Sequence, residues 1–127
     1  MTTVVDASAY LDLLLDVVPV ERRGIFDCEL VAPGIFLAEV ASGLASCERR
    51  GIIDRAFAEV LLGELTASPV ATITDRVVVE RAFALRANLT LYDACYVAVA
   101  ELVGGRLLTA DARLARAPGL TVPIVVV

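Results

Sequence analysis

A chain of 127 residues predicts a single domain over 1–127, near the usual size of roughly 100–150 residues and large enough to bury a core without disulfide staples. Its 58% apolar content exceeds the ordinary ~45–50% and points to a sheet covered on both faces. Sixteen acids against eleven arginines, with no Lys, His or Trp, leave a net charge of −5. That excludes a broad basic surface, so any phosphate contact must come from local Arg clusters and bound cations.

No apolar run reaches the ~18–20 uncharged residues of a membrane span, and MTTVVDAS lacks the basic start of a signal peptide. A soluble, cytoplasmic protein is expected. Cys28, Cys47 and Cys95 are odd in number and far apart. Without His they do not make a Zn site, and they read as small reduced hydrophobes.

Short β-branched runs alternate with longer helical ones. Residues 2–5 read as a strand, and Ser8 can cap a helix to about Asp16, stopped by Pro19. A short helical piece follows over 20–27, then a strand over 29–32. Pro33 is placed to open the helix that carries Glu39, which ends at Glu48-Arg49-Arg50-Gly51 with Arg in the last turn and Gly at the stop. A helix over 52–66 leads to a strand over 70–73, and Thr74 and Asp75 begin a helix to about Ala87. Thr90 starts a strongly apolar helix to Val103, ended by Gly104-Gly105. A strand over 106–109, a short helix over 111–117 and a strand over 122–127 complete the chain. This alternation predicts an α/β fold of three α/β/α layers, with a mostly parallel central sheet flanked by helices. Sites in that architecture form at the carboxyl ends of the strands.

Four acids stand in otherwise apolar segments: Asp6 in TTVVDAS, Glu39 in IFLAEVA, Asp93 in LYDACYVAV and Asp111 in LLTADARL. A carboxylate bound for a core is costly unless a cation meets it. Asp6 and Asp111 each follow a strand, where an Asp can equally cap a helix. Asp93 fits a capping box with Thr90, yet Tyr96, Val97 and Ala100 at i+3, i+4 and i+7 put it inside the apolar stripe. Glu39 lies at the margin of the stripe Phe36, Leu37, Val40, Leu44, beside Ser42, Gly43 and Ser46, whose small side chains leave room for a ligand.

Two carboxylates about 4 Å apart repel by roughly 4 kcal/mol at an effective dielectric near 20. Four converging acids therefore hold protons or bind a divalent cation, and all-oxygen ligands select Mg²⁺ or Mn²⁺. With no His or Lys to act as base, this favours metal-assisted phosphodiester hydrolysis. Ser8 and Thr109 can either hydrogen-bond the site or cap. Tyr92 and Tyr96 can line a cleft, and Arg22-Arg23 and Arg49-Arg50 are candidates for a basic rim.

In this order, VVDAS, a Pro-led helix with LAEV, LTLYDACYVAVA and LLTADARLA resemble a PIN domain. More narrowly, they resemble the VapC toxins of bacterial toxin–antitoxin pairs, over essentially the whole chain. The resemblance implies a compact α/β sandwich in which Asp6, Glu39, Asp93 and Asp111 hold Mg²⁺ or Mn²⁺ and cleave single-stranded RNA (tRNA, rRNA or mRNA). It implies Asp6 and Asp93 as direct ligands, Asp111 assisting with a ligand or a water, and Glu39 orienting or activating the attacking water. It also implies a homodimer, a VapB-type antitoxin covering the cleft, and a heterotetramer or larger assembly with that antitoxin.

Other readings compete. Phosphatases built on strand-D-x-D and receiver domains both use a Lys that this chain lacks. A non-catalytic protein-binding module, whose acidic pocket accepts an Arg from a partner, leaves the same pattern of residues.

Overall fold

A computed structural model describes residues 2–127. Five strands among them, β1 (Thr3–Val5), β2 (Leu30–Pro33), β3 (Ala71–Ile73), β4 (Arg106–Thr109) and β5 (Ile124–Val126), form one sheet. The order is β3-β2-β1-β4-β5 and every neighbouring pair is parallel. Register is fixed by pairs such as Val4 with Val31 and Val4 with Leu107.

The central strands are buried on both faces, as the excess of apolar residues predicts. Val4, Val5, Ala32, Leu107 and Leu108 are fully enclosed. The edge strands β3 and β5 are part-exposed.

The helices are α1 (Ala7–Leu14), α2 (Val20–Arg23), α3 (Phe36–Arg49), α4 (Arg55–Thr66), α5 (Arg76–Ala84), α6 (Leu91–Val103) and α7 (Ala112–Ala115). Helices α1, α3 and α4 pack on one another, while α6, with α5 against it, lies across β1, β2 and β4. Every residue of α6 from Ala94 to Ala100 is buried, which is why its sequence is apolar all round. Leu44 and Cys47 of α3 and Ala58 and Leu61 of α4 are buried outside the main core cluster, where those two helices meet.

Several boundaries differ from the sequence expectation, each for a local reason. Pro33 closes β2 instead of opening a helix, and α3 begins only after the Gly34-Ile35 turn. Asp6, not Ser8, caps α1, accepting from the Ala9 amide. That helix stops at Leu14, and Asp16 takes φ 63°, a left-handed conformation that Asp tolerates better than most residues, where it meets Arg23 at 2.8 Å. Asp54 and Asp75 cap α4 and α5, so residues 52–54 are loop, and α5 ends at Ala84. Gly51 and Gly104 end α3 and α6 at φ 73° and 65°.

Candidate functional site

From β1 the chain works outward through β2 to β3, then crosses back to β4 and on to β5. The carboxyl ends of β1 and β4 thus border a crevice where the strand order reverses, the place where ligands bind in open α/β sheets. Asp6 follows β1 directly, and its amide donates to the Leu108 carbonyl of β4 at 3.0 Å.

Asp6 is only 7% exposed. Its Oδ1 accepts from Ser8 Oγ at 2.7 Å and from the Ala9 amide at 2.9 Å. Burial pushes its pKa above the ordinary carboxylate value. Bonds from Ser8, Thr109 and Ala9 oppose that push, and the nearby Asp93 adds to it. Ser8 Oγ also accepts from the Ala110 amide at 3.0 Å and lies 3.3 Å from Thr109 Oγ1, so both hydroxyls stitch the ends of β1 and β4 together. Capping and site-building, posed as alternatives for Asp6, are here the same geometry.

Helices α3 and α6 bring two further acids to this edge. Thr90 caps α6 by accepting from the Asp93 amide at 3.3 Å, one half of the expected capping box. Tyr96, one turn on and 2% exposed, donates its hydroxyl to Glu39 Oε1 at 2.7 Å. Burial and the Glu39 carboxylate push the Tyr96 phenol well above its usual range, so it stays a donor. The space expected beside Glu39 is partly filled: a side chain at Gly43 would meet Leu11 Cδ2 at 2.7 Å, so that glycine serves the α1–α3 contact.

Asp111 caps α7 through the Arg113 amide at 2.9 Å. Both its oxygens are also engaged by the Arg113 guanidinium, Nε to Oδ1 at 3.2 Å and Nη2 to Oδ2 at 3.3 Å. Those bonds hold its carboxyl below the usual range.

Asp6, Glu39, Asp93 and Asp111 line one cleft of about 180 Å³, together with Ala7, Ser8 and Tyr96. A second cleft of about 250 Å³, lined by Asn88, Thr90 and Arg113 among others, shares Asp93 and Asp111 with it. The four acids come from four separate segments, and the structure brings all of them to the crevice. Among the described residues no three acidic, Cys or His side chains form a ready-made metal cage. Protein donors hold three of them instead: Ser8 and Ala9 on Asp6, Tyr96 on Glu39, and Arg113 on Asp111. The donor set is all oxygen and includes a buried carboxylate with a second acid nearby, a combination that suits a hard divalent cation.

Sequence reasoning places Tyr96 at a cleft without finding its bond to Glu39, which spans 57 positions. Arg113 escapes it altogether, and the only signal is an Arg two residues after a capping Asp. The candidate rim residues lie elsewhere: Arg22, Arg49 and Arg50 are exposed outside the cleft, and Arg23 is committed to Asp16 and the Val18 carbonyl.

A family model, the PIN domain, matches residues 3–120. Ribonuclease VapC3 of Mycobacterium tuberculosis is 40% identical over 117 residues, covering 90% of this chain and 85% of that protein. The crystal structure of PAE2754 from Pyrobaculum aerophilum superposes with a TM-score of 0.71 at 29% identity, over 98% of this chain and 83% of the other. A toxin–antitoxin complex from Klebsiella pneumoniae contains a chain with the same fold, at a TM-score of 0.66 and 18% identity over 97% of this chain and 95% of that one.

Proposed function

The chain belongs to the PIN-domain family, in its VapC group, and from that premise we propose that it is a Mg²⁺- or Mn²⁺-dependent endoribonuclease. It acts as the toxin of a toxin–antitoxin module and hydrolyses phosphodiester bonds in single-stranded RNA. One observation carries the reading: Asp6, Glu39, Asp93 and Asp111 share a single cleft at the switch point of the sheet. Like charges so gathered call for a cation.

Asp6 and Asp93 would hold the ion, with Asp111 and Glu39 completing its surroundings. When bound, the ion supplies electrostatic stabilisation of charge developing on the phosphodiester and activates water for attack. The chain's own contribution is placement. Ser8 and the Ala9 amide fix Asp6 through Oδ1. Tyr96 occupies Glu39 Oε1, which leaves Oε2 to accept a proton from the attacking water. No His or Lys exists to take that proton, so the role falls to a carboxylate.

An antitoxin that covers the cleft and offers a cation to its acids would inhibit by charge complementarity. Helix α5 leaves Val79 and Phe83, neighbours at i and i+4, each 56% exposed, which supports self-association into a homodimer. With one antitoxin on each protomer, such a dimer would make a heterotetramer or a larger assembly.

The test is cleavage of single-stranded RNA by the purified, partner-free chain. Mn²⁺ should support it, EDTA should stop it, and Asp93→Asn should abolish it. Failure to cut RNA in vitro, together with no new 5′ ends in cells after induction without the antitoxin, overturns the proposal.

A further inference from the structure

We propose that Arg113 is an exchangeable counter-ion: it occupies Asp111 until a divalent cation takes that carboxylate, and the released guanidinium then holds a phosphate of the RNA. This rests on the metal-nuclease reading above and assigns a substrate-binding residue within it.

Four observations lead there. The guanidinium engages both oxygens of Asp111, at 3.2 and 3.3 Å, so Asp111 cannot serve a metal ion fully while the pair persists. Those contacts are longer than the ~2.7–2.9 Å of a tight charge-assisted bond, and the Arg113 side chain is 86% exposed. Exposed ion pairs of this kind are readily given up. Arg113 also feels the charge of Asp93 and lines the cleft that Asp93 and Asp111 share. It therefore pairs with one candidate ligand while sharing a cleft with a second.

Its anchorage suits a swing. Helix α7 is a single turn, Ala112–Ala115, and Arg113 projects from its exposed side. The charge balance supplies the need. A chain with net charge −5 must gather phosphate-binding groups locally, and among the described residues Arg113 is the only basic one lining either of the two clefts that Asp93 and Asp111 share. Guanidinium binds phosphate as well as carboxylate, through the same planar fork. Cation entry and RNA entry would thus be linked: the first frees the group that receives the second.

The two roles predict effects of opposite sign, which mere support of the fold would not give. In calorimetric titration with Mn²⁺ alone, Arg113→Ala should bind the ion several-fold more tightly, because a competing positive charge is gone. At saturating Mn²⁺ the same variant should raise KM for a single-stranded oligoribonucleotide about tenfold, with a smaller change in kcat. The slope of log KM against log salt should fall by about 0.7, one phosphate contact on a single strand. Arg113→Lys should recover part of the KM loss. Arg113→Gln, which keeps the length without the charge, should repeat the Ala result should Ala disturb α7. Mn²⁺ affinity that is unchanged or weaker in both neutral variants overturns the inference alone. Absence of Mn²⁺ binding by the unaltered chain overturns the metal-nuclease reading beneath it.

Discussion

Tyr96 on α6 donates to Glu39 on α3 across the candidate cleft, at 2.7 Å and with the tyrosine almost fully enclosed. The bond fixes a carboxylate that otherwise extends from the first turn of α3 on a flexible stem. Tyr96→Phe removes the donor while keeping the ring. A hydrogen bond to a charged group contributes about 1.5–3 kcal/mol, so kcat should drop roughly 10- to 100-fold. Glu39 is only part-buried and can recover water, so stability should fall by no more than about 1–2 kcal/mol. Urea denaturation beside single-turnover cleavage separates the two effects. Unchanged kcat would remove Glu39 positioning from the mechanism.

Asp6 ties stability to function in the opposite direction. Burial raises its pKa from an ordinary 3.8, so the folded chain holds that proton more tightly than the unfolded one. The stability it contributes is complete below 3.8, is lost as pH rises through the raised folded value, and stays lost at neutral pH. Asp6→Asn keeps a good cap for α1 and an acceptor for Ser8, without the charge. Metal-free Asp6→Asn should therefore be more stable than the unaltered chain at pH 7, by about 1 kcal/mol or roughly 3–5 °C in Tm. The difference should vanish below about pH 4, and cleavage should be absent at any pH. Thermal melts across pH with EDTA present check the sign.

Much of this architecture can be read from the residues because local and global preferences agree. Helix α6 is the clearest case: Thr90 caps it, its apolar run is buried throughout, and Gly104 in the left-handed region ends it. The four acids are visible for the same reason, as charges in segments otherwise fit only for a core. Pro33 misleads, since proline suits a helix's first turn and equally a strand's end, and the tertiary register of β2 with β3 decides between them. Gly43 misleads similarly, because its smallness serves Leu11 and not a ligand. What holds the acids is hardest to read. Tyr96 and Glu39 meet only because the sheet carries α3, which follows β2, and α6, which lies across β1, β2 and β4, to the same edge, and nothing in either segment encodes the other.

Adjacent glycines at the end of α6 should respond differently to alanine. Gly104 has φ 65° with open space around it, so alanine there meets only the left-handed strain of about 1 kcal/mol. At Gly105 a Cβ would stand 2.2 Å from the Thr2 carbonyl oxygen. Backbone must move to admit it, and that backbone leads directly into β1 and the approach to Asp6. Gly105→Ala should cost about 2–3 kcal/mol, measured by urea denaturation, and should lower kcat as well. Equal costs at the two positions would mean that the β1–β4 junction is looser than its geometry indicates.

Divalent-ion affinity should carry the imprint of two carboxyls shifted in opposite directions. Asp6 is pushed up by burial, whereas Asp111 is pulled down by Arg113. As pH falls from neutrality, protons compete with the cation first at Asp6, while Asp111 remains ionised. Mn²⁺ affinity should thus be flat at high pH. It should then weaken towards tenfold per unit once pH passes below the raised Asp6 value, the slope of one proton released on binding. Thermal stabilisation by the ion should follow the same curve, reaching about 2.7 kcal/mol at a hundredfold excess over Kd near neutral pH and fading in acid. The ion thereby reverses the metal-free trend: with EDTA the chain loses stability at Asp6 as pH rises, and with saturating Mn²⁺ it gains. Calorimetry and melts from pH 4 to 8 in both conditions would show the crossing. Parallel curves with and without Mn²⁺ would place the ion away from Asp6.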